Sequence, residues 1–149
     1  MRAVVQRVNY ASVTVEGAVV GRIDRGLCVF VGVGREDQEA DATALASKVV
    51  ALRIFEDQAE KMNLTLLESG GALLAVSQFT LFGDMRRGNR PSFSQAMEPV
   101  RAEALFEHFC AECRARGARV ETGRFRTQMQ VCLENDGPVT ILIDSKRAF

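Results

Sequence analysis

Two polar segments of this chain carry side chains that could take part in catalysis. In the first, Ser77, Gln78, Phe79 and Thr80 place two hydroxyls and an amide at the end of a largely apolar run. Burying such groups without hydrogen-bond partners is costly, so they either pair locally or line a cavity. Thr80 is the obvious candidate for a nucleophile. The second segment, residues 135–140 (Asn-Asp-Gly-Pro-Val-Thr), could be a plain hairpin turn, although a cis Gly-Pro bond there would be a specific structural choice.

The chain has one histidine that could act as the base for a nucleophile. A triad-type serine or threonine hydrolase needs a base beside the attacking hydroxyl. The only histidine, His108, falls beside the apolar stripe of a predicted helix. We therefore expect it to face solvent or the sheet edge, which disfavours a histidine-based triad. Nucleotide triphosphate binding is also disfavoured, because Gly32-x-Gly34 lacks the other residues of a phosphate loop.

The cysteines favour packing over metal or redox chemistry. Cys110 and Cys113 have the spacing of a zinc-binding pair, but no second pair completes the four ligands of a structural zinc. A redox pair usually lies at a helix N-terminus, whereas this one lies well inside a predicted helix. Cys28, Cys110 and Cys113 all fall in apolar segments, where a free cysteine acts as a small hydrophobe. We expect no metal and no cofactor.

The composition is that of a globular protein with one domain, residues 1–149. Hydrophobic residues make up 47% and charged residues 26%, which excludes intrinsic disorder of the whole chain. The longest uncharged apolar stretch, residues 26–34, is about half as long as a membrane-spanning helix, so we expect no membrane association. No secretory signal is visible, and free cysteines suit a reducing compartment. These features predict a cytoplasmic protein.

The charge balance excludes a general nucleic-acid coat protein. The chain has 19 Lys and Arg residues against 19 Asp and Glu residues, so its formal net charge is zero, whereas coat proteins are strongly basic. The balance does not exclude a local basic patch, because arginines cluster in two places: Arg86, Arg87 and Arg90, and then Arg114, Arg116, Arg119, Arg124 and Arg126. Both a solvated surface and contact with one end of an RNA fit this pattern.

Periodicity predicts several strands and two main helices. Residues 2–8 and 12–20 alternate Val with polar residues, which predicts an antiparallel pair. Residues 27–31 and 72–82 are apolar runs typical of buried strands. Helical spacing predicts the first helix from four apolar residues: Leu45, Val49, Leu52 and Phe55.

The second helix is the clearest predicted element. Pro99 fits its first turn and Gly117 its C-terminal stop. Between them runs one apolar stripe: Ala102, Leu105, Phe106, Phe109 and Cys113. Further strands are predicted at Val120, 128–133 and 139–143. We expect an α+β fold whose antiparallel or mixed sheet is partly closed like a barrel, with the two main helices on one side.

The two polar segments, in this order, resemble the signature of the D-aminoacyl-tRNA deacylase family. Ser77-Gln78-Phe79-Thr80 is followed far downstream by Asn135-x-Gly137-Pro138-x-Thr140. The resemblance covers the chain end to end, since other family motifs occur in order: Gln6-Arg7-Val8, Ala11-Ser12-Val13, Lys61-Met62-Asn63-Leu64, Arg90-Pro91-Ser92-Phe93 and Thr122-Gly123-Arg124-Phe125. Together, at these spacings, the motifs are a specific signal.

The resemblance implies an activity and an assembly. Enzymes of this family hydrolyse the ester that joins a D-amino acid to the 3′-terminal adenosine of tRNA, and they spare L-aminoacyl-tRNA. They also clear glycine mischarged on tRNA(Ala). They are cytoplasmic homodimers with their sites at the subunit interface. The expected partners are therefore aminoacyl-tRNA and a second copy of this chain.

The resemblance also assigns substrate-binding roles. Gly137 and Pro138 are implied to form a cis peptide bond that reaches into the partner's pocket. There its carbonyl oxygens hold the substrate amino group, and an L side chain would collide with it. Arg7 is implied to lie over this pair and to fix its orientation. Phe125 and Met129 match the positions that flank the terminal adenine.

Two mechanisms stay open for the catalytic segment. In the first, Thr80 attacks the ester as a covalent nucleophile. In the second, Thr80 takes no part in bond formation, and the ribose hydroxyl next to the ester polarises the carbonyl or positions the attacking water. In the second mechanism, backbone N–H groups near Phe79 and Thr80 stabilise the oxyanion. The second mechanism is favoured because no histidine is placed to take the proton of Thr80. Ser77 and Gln78 would then shape the pocket and form hydrogen bonds in it.

The sequence departs from the family pattern just after Phe125. Small residues are common there in the family, whereas this chain has Arg126 and Thr127. The departure concerns the shape of the adenine pocket, not the reaction. Arg126 could add a phosphate contact or point to solvent.

Two other functions are compatible with the sequence. One is an editing hydrolase that uses the same pocket on another aminoacyl ester, which an L-aminoacyl-tRNA control would separate. The other is a non-catalytic RNA- or DNA-binding module, for which binding would survive while no ester is cleaved. Zero net charge argues against the binding module.

Overall fold

The fold is built around one long strand, β1 (Arg2–Val15). A computed structural model describes all residues, 1–149. The remaining elements are β2 (Ala18–Ile23), β3 (Gly26–Gly32), α1 (Glu39–Val50), β4 (Phe55–Glu56), β5 (Met62–Leu64), α2 (Leu66–Ser69), β6 (Ala72–Ser77), α3 (Pro99–Ala115), β7 (Val120–Thr122) and β8 (Gln130–Asp144). A 3-10 turn, Phe79–Phe82, follows β6 directly.

Strand β1 pairs along both of its edges. Strands β2 and β3 return antiparallel along one edge, and β8 runs antiparallel along the other. The predicted pairing of residues 2–8 with 12–20 is wrong, because residues 2–8 pair with β3 instead. The chain reverses at Glu16 and Gly17, inside the second predicted strand, and Gly17 adopts the positive φ of 80° that glycine tolerates.

The sheet is mixed and nearly closes on itself. Strand β6 is parallel to β3, and β7 is parallel to β6. The sheet curls until β7 meets β2, so closely that a Cβ on Gly21 would lie 2.3 Å from the carbonyl oxygen of Thr122. The expected partly closed, barrel-like α+β sheet is therefore confirmed.

Alternating side chains of the strands serve two separate cores. Leu27 and Val29 of β3 belong to the larger core beneath the helices, whereas Cys28 points into the smaller core inside the curled sheet. Helices α1 and α3 pack against each other over the larger core, where Leu45 and Phe109 are fully buried. The prediction of two main helices on one side is confirmed, and the short helix α2 is an addition.

Two predicted strand boundaries are wrong. The apolar run at 72–82 leaves the sheet after Ser77, because residues 79–82 turn into the 3-10 segment. The two predicted strands at 128–133 and 139–143 form one continuous strand, β8, along β1. That strand contains a bulge in which residues 136–139 stand opposite Arg7 alone.

The ends of α3 follow the signals in the sequence, whereas α1 ends at Val50, so Leu52 and Phe55 of its predicted stripe lie outside the helix. Pro99 opens α3, and the Glu98 carboxylate caps it by accepting hydrogen bonds from the N–H groups of Val100 and Arg101. Gly117, with φ of 96°, follows its end. No helix of the chain combines the length and the apolar composition needed to cross a membrane.

A buried charge cluster joins the start of β1 to the rest of the fold. The Asp37 carboxylate lies 2.9 Å from the Met1 ammonium group and 3.4 Å from the Lys146 ammonium group. It also accepts a 2.6 Å hydrogen bond from the N–H of Gly34. Removing one partner of a buried ion pair leaves the other charge uncompensated.

We predict that Asp37→Asn lowers the free energy of unfolding by about 3 kcal/mol, because it leaves the Met1 ammonium group buried without its counter-charge. Denaturant titration of both proteins measures the difference. The matched control is Asp24→Asn, since Asp24 is exposed and lies 3.6 Å from Arg22, and an exposed pair contributes little. Equal losses in the two variants would show that the Asp37 cluster does not hold the fold.

Candidate active site

A cleft of about 540 Å³ opens between the end of β6, the N-terminal turn of α3 and the segment that precedes β8. Five of the predicted catalytic and substrate-binding residues line it: Ser77, Gln78, Phe79, Phe125 and Met129. Val76 and Val131 add apolar surface continuous with the interior of the curled sheet. An apolar cleft with a few convergent polar groups is the usual form of a small-ligand site.

Thr80 stands beside this cleft without a base. It lies on the exposed 3-10 turn, and its hydroxyl oxygen accepts a hydrogen bond from the Gln78 side-chain amide. An amide nitrogen has no lone pair with which to take the proton of Thr80. His108 lies elsewhere, where its Nε2 is 3.0 Å from the Thr43 hydroxyl at the contact of α1 with α3. The expectation that His108 faces solvent or the sheet edge is wrong, because this contact leaves it half-buried between helices.

Two backbone donors open the 3-10 turn beside the cleft. They are the N–H groups of Phe79 and Thr80, the first two residues of that turn. The first N–H groups of any helical turn lack partners within that turn. Paired donors of this kind can stabilise the negative oxygen that develops when an ester carbonyl is attacked.

The Gly137–Pro138 peptide bond is cis, as the resemblance implies, and both residues are exposed. The guanidinium of Arg7 holds the residue that precedes them. Its Nε donates a 3.1 Å hydrogen bond to the carbonyl oxygen of Asp136 and lies 3.0 Å from the Asp136 carboxylate. Its Nη1 donates a 2.6 Å hydrogen bond to the carbonyl oxygen of Ile54. Arg7 is buried and therefore not the surface strand residue that its position alone would suggest.

Asn135 closes the bulge from the other side. Its Nδ2 donates 3.0 Å hydrogen bonds to the carbonyl oxygens of Arg7 and Val139, which join both ends of the bulge to β1. The side chain packs so closely that a Cβ on Gly137 would lie 2.3 Å from Asn135 Oδ1. Asn135 and Asp136 were not among the predicted site residues, although their place in the motif was the available signal.

The bulge and the cleft lie apart on one chain. Ser77 is in register with Val31 and, through it, with Ala3, whereas the bulge stands opposite Arg7 on the other edge of β1. The offset is four residues along β1, or about 13 Å, in addition to the width of the intervening strands. No residue of 135–140 lines the cleft. Gly137 therefore lies outside the cleft of its own chain.

Phe125 lies in the wall of the cleft next to α3. The Phe125 ring packs against Phe106 with centroids 6.3 Å apart. Arg126 adopts a φ of 57°, lines the cleft and is exposed. Thr127 also lines the cleft, and its hydroxyl donates a 2.8 Å hydrogen bond to the Arg124 carbonyl oxygen.

Three of the four cysteines are core side chains. Burial raises the pKa of the Cys28, Cys110 and Cys113 thiols to about 12, so they are protonated at neutral pH. A thiol in this state is neither a nucleophile nor a metal ligand. The interpretation of Cys110-x-x-Cys113 as a packing feature is therefore confirmed.

This burial predicts the thiol reactivity of the native protein. At pH 8, Ellman's reagent should label only Cys132, the single exposed cysteine, and all four cysteines after unfolding. Native Cys132→Ser should show no rapid labelling. Rapid reaction of Cys110 or Cys113 in the folded protein would contradict the assignment of both thiols to the core.

Comparisons with known proteins agree with the motifs. The family model described as D-Tyr-tRNA(Tyr) deacylase matches residues 4–144. The chain is 60% identical over 149 residues to the D-aminoacyl-tRNA deacylase of Koribacter versatilis and 63% identical over 150 residues to that of Sorangium cellulosum. Both matches cover 100% of this chain and 100% of the relative.

Two solved structures have the same fold. One, titled c-Myc DNA Unwinding Element Binding Protein, superposes with a TM-score of 0.91 at 39% identity and covers 97% of this chain and 98% of that chain. The other, from a structural analysis of a probable eukaryotic D-amino acid tRNA deacylase, has a TM-score of 0.81 at 20% identity and covers 96% and 98%. The family model and the relatives match this chain over its whole length, and residues of its ordered motifs line the cleft. The chain therefore belongs to the D-Tyr-tRNA(Tyr) deacylase family.

Proposed function

We propose that this protein hydrolyses the ester that joins a D-amino acid to the 3′-terminal adenosine of tRNA, releasing the free D-amino acid and tRNA. The observation that carries the proposal is the exposed Gly137–Pro138 bulge, which Arg7 and Asn135 clamp in one orientation. A rigid backbone corner of this kind suits the rejection of one mirror-image substituent. Two relatives that are 60% and 63% identical to this chain are named D-aminoacyl-tRNA deacylase, which supports the proposal. Because tRNA aminoacylation is the source of the substrate, we place the protein in the cytoplasm.

The proposal includes a homodimer in which each cleft is completed by the other copy. The bulge lies outside its own chain's cleft, so a second copy is the natural source of Gly137 and Pro138. Their carbonyl oxygens would accept hydrogen bonds from the substrate ammonium group. D and L side chains are chemically identical, so discrimination must come from fixed geometry that penalises one hand. Glycine, whose side chain is hydrogen, would pass the same filter, which predicts cleavage of glycyl-tRNA.

Ser77, Gln78 and Phe79 would hold the reacting ester in the cleft. Water attacks the ester carbonyl, and the N–H groups of Phe79 and Thr80, which open the 3-10 turn, stabilise the oxyanion. The bond to the ribose oxygen then breaks, and that oxygen leaves with the proton that the attacking water has lost. The neighbouring ribose hydroxyl is placed to position the water, which removes the need for a protein base. Phe125 and Met129 would flank the terminal adenine, since RNA ends are usually held by stacking and local contacts.

This mechanism makes a specific prediction for Thr80→Ala. The variant should keep kcat within about 10-fold of the wild type, because the backbone donors remain, whereas losing a covalent nucleophile typically costs about 10⁴-fold or more. Single-turnover hydrolysis of D-tyrosyl-tRNA gives the rate of the chemical step. A collapse of that rate in a folded variant would revive Thr80 as the nucleophile.

The direct test of the proposed function is ester loss from three substrates: D-tyrosyl-tRNA, L-tyrosyl-tRNA and glycyl-tRNA. We expect the D-tyrosyl and glycyl esters to be cleaved and the L-tyrosyl ester to persist. Cleavage of the L-tyrosyl ester at a similar rate would instead identify an editing hydrolase for another aminoacyl ester.

A second candidate function is binding to DNA, because a solved structure at 39% identity is titled a DNA unwinding element binding protein. The neutral net charge of this chain argues against it. Fluorescence anisotropy with single-stranded DNA, beside the ester assays, separates the two. Tight DNA binding with all three esters intact would favour the binding module.

A further inference from the structure

The loop of residues 83–94 borders the cleft and carries a local surplus of positive charge. We call it the basic loop. It contains Arg86, Arg87 and Arg90 against one acid, Asp84, in a chain whose net charge is zero. The loop begins at the end of the 3-10 turn and closes on itself through the paired backbones of Asp84 and Ser92.

Only one of these arginines is used internally. The Arg86 guanidinium forms a two-pronged contact with the Asp84 carboxylate, at 2.9 Å and 2.6 Å. This contact holds the pKa of Asp84 well below its ordinary value, so the pair stays ionised. Arg87 and Arg90 are exposed and form neither ion pairs nor side-chain hydrogen bonds. The Arg86–Asp84 pair therefore holds the loop, and the loop exposes the unpaired guanidinium groups of Arg87 and Arg90.

Two exposed aromatic rings join the loop to the cleft. Phe93 of the basic loop packs edge-to-face on Phe79, with centroids 5.0 Å apart. Phe79 itself lines the cleft. Both rings are exposed, although large apolar side chains are usually covered. Exposed rings beside free arginines are the combination that binds single-stranded nucleic acid, through base stacking and phosphate contacts.

We propose that the basic loop binds the single-stranded 3′ end of the tRNA just before its terminal adenosine. Arg87 and Arg90 contact phosphate groups, and the Phe79–Phe93 pair supplies the face on which a preceding base stacks. Arg126, which lines the cleft and forms no ion pair, adds positive charge from the opposite wall. This inference rests on the proposed function for the identity of the ligand. It explains how a chain with no net charge holds an RNA.

The test measures binding of uncharged tRNA by the wild type and by Arg87→Gln/Arg90→Gln across a range of salt concentrations. We expect the double variant to bind about 10-fold more weakly and the slope of log affinity against log salt to fall by about 1.4, since each single-strand phosphate contact contributes about 0.7. A tRNA trimmed of its single-stranded 3′ nucleotides should bind both proteins equally. Hydrolysis of the minimal ester D-tyrosyl-adenosine should be unchanged in the double variant.

Arg119→Gln is the matched control for the loss of an arginine charge. Arg119 is exposed and lies at the opposite end of β6, where its carbonyl oxygen accepts from the N–H of Leu73. Its removal should change neither the affinity nor the salt slope. An unchanged slope in the double variant, or an equal effect on trimmed tRNA, would overturn the inference. Failure of the wild type to cleave any ester would refute the proposed function and leave the binding result to stand by itself.

Discussion

Gly137→Ala should lower kcat/KM for D-tyrosyl-tRNA by about 100-fold while the protein stays folded, because displacing a positioning group by about 1 Å can cost that much. A Cβ at this residue would lie 2.3 Å from Asn135 Oδ1 and 2.9 Å from the backbone nitrogen of Val139. Neither atom can give way freely, since Asn135 is held by the carbonyl oxygens of Arg7 and Val139. The bulge must therefore shift as a unit. Its carbonyl oxygens would no longer meet the substrate ammonium group.

Steady-state kinetics and thermal unfolding of the same preparations test this prediction. Gly17→Ala is the matched control, because it places the same methyl group where nothing lies within 4 Å, on a backbone whose φ is +80°. We expect the opposite pattern there: some loss of stability from the left-handed backbone and no loss of activity. Full activity in folded Gly137→Ala would contradict the role given to the bulge.

The second large effect is expected at Arg7. Arg7→Lys should reduce kcat/KM for D-tyrosyl-tRNA by about 100-fold, because an ammonium group cannot reproduce a planar fork that donates in two directions. The fork reaches the carbonyl oxygens of Ile54 and Asp136 at once. When only one of these two hydrogen bonds can form, the bulge turns relative to β1. The rate ratio of D-tyrosyl- to L-tyrosyl-tRNA should fall as well, since the geometry that rejects the L side chain is loosened.

That ratio separates orientation of the bulge from simple support of the fold. A substitution that only weakened the fold would lower the unfolding temperature and leave the ratio unchanged. Arg53→Lys is the control, because the Arg53 side chain also bonds a carbonyl oxygen, that of Asn63, at an exposed site. An unchanged ratio in Arg7→Lys, with only stability reduced, would assign Arg7 to the fold alone.

Local signals predicted the parts of the fold that short-range physics determines. Helix α3 is an example, since Pro99 and Gly117 mark its ends and its stripe is buried as expected. The long strands were missed because their pairing is set by distant partners. In β1, buried Arg7 and Val8 are neighbours, as are Ala11 and Ser12. This breaks the alternation from which a strand is predicted, because β1 is bulged against β8 and changes partners along its length.

The same distinction applies to the candidate site. Ser77 and Gln78 stood out because polar groups at the end of an apolar strand need an explanation. Burial of Arg7 had no local signal, since its partner Asp136 is 129 residues away. A charged residue in a strand looks like a surface residue until that partner is known. Only the motif that contains Gly137 pointed to the pairing before the fold did.

In the proposed homodimer, the cleft of one copy works with Gly137 and Pro138 of the other. Gln78→Trp provides the complementary defect, because an indole in place of a side chain that lines the cleft would block it. Neither homodimer, Gln78→Trp nor Gly137→Ala, should hydrolyse D-tyrosyl-tRNA at an appreciable rate. In a mixed dimer of the two chains, the cleft of the Gly137→Ala chain is open and faces an intact bulge.

The decisive measurement is the deacylation rate of that mixed dimer, isolated with two different affinity tags. Contribution between subunits predicts about half of the wild-type rate, since one of two equivalent sites is restored. A mixed dimer as inactive as its parents, or a protein that forms no dimer while fully active, would show that the second copy does not complete the cleft.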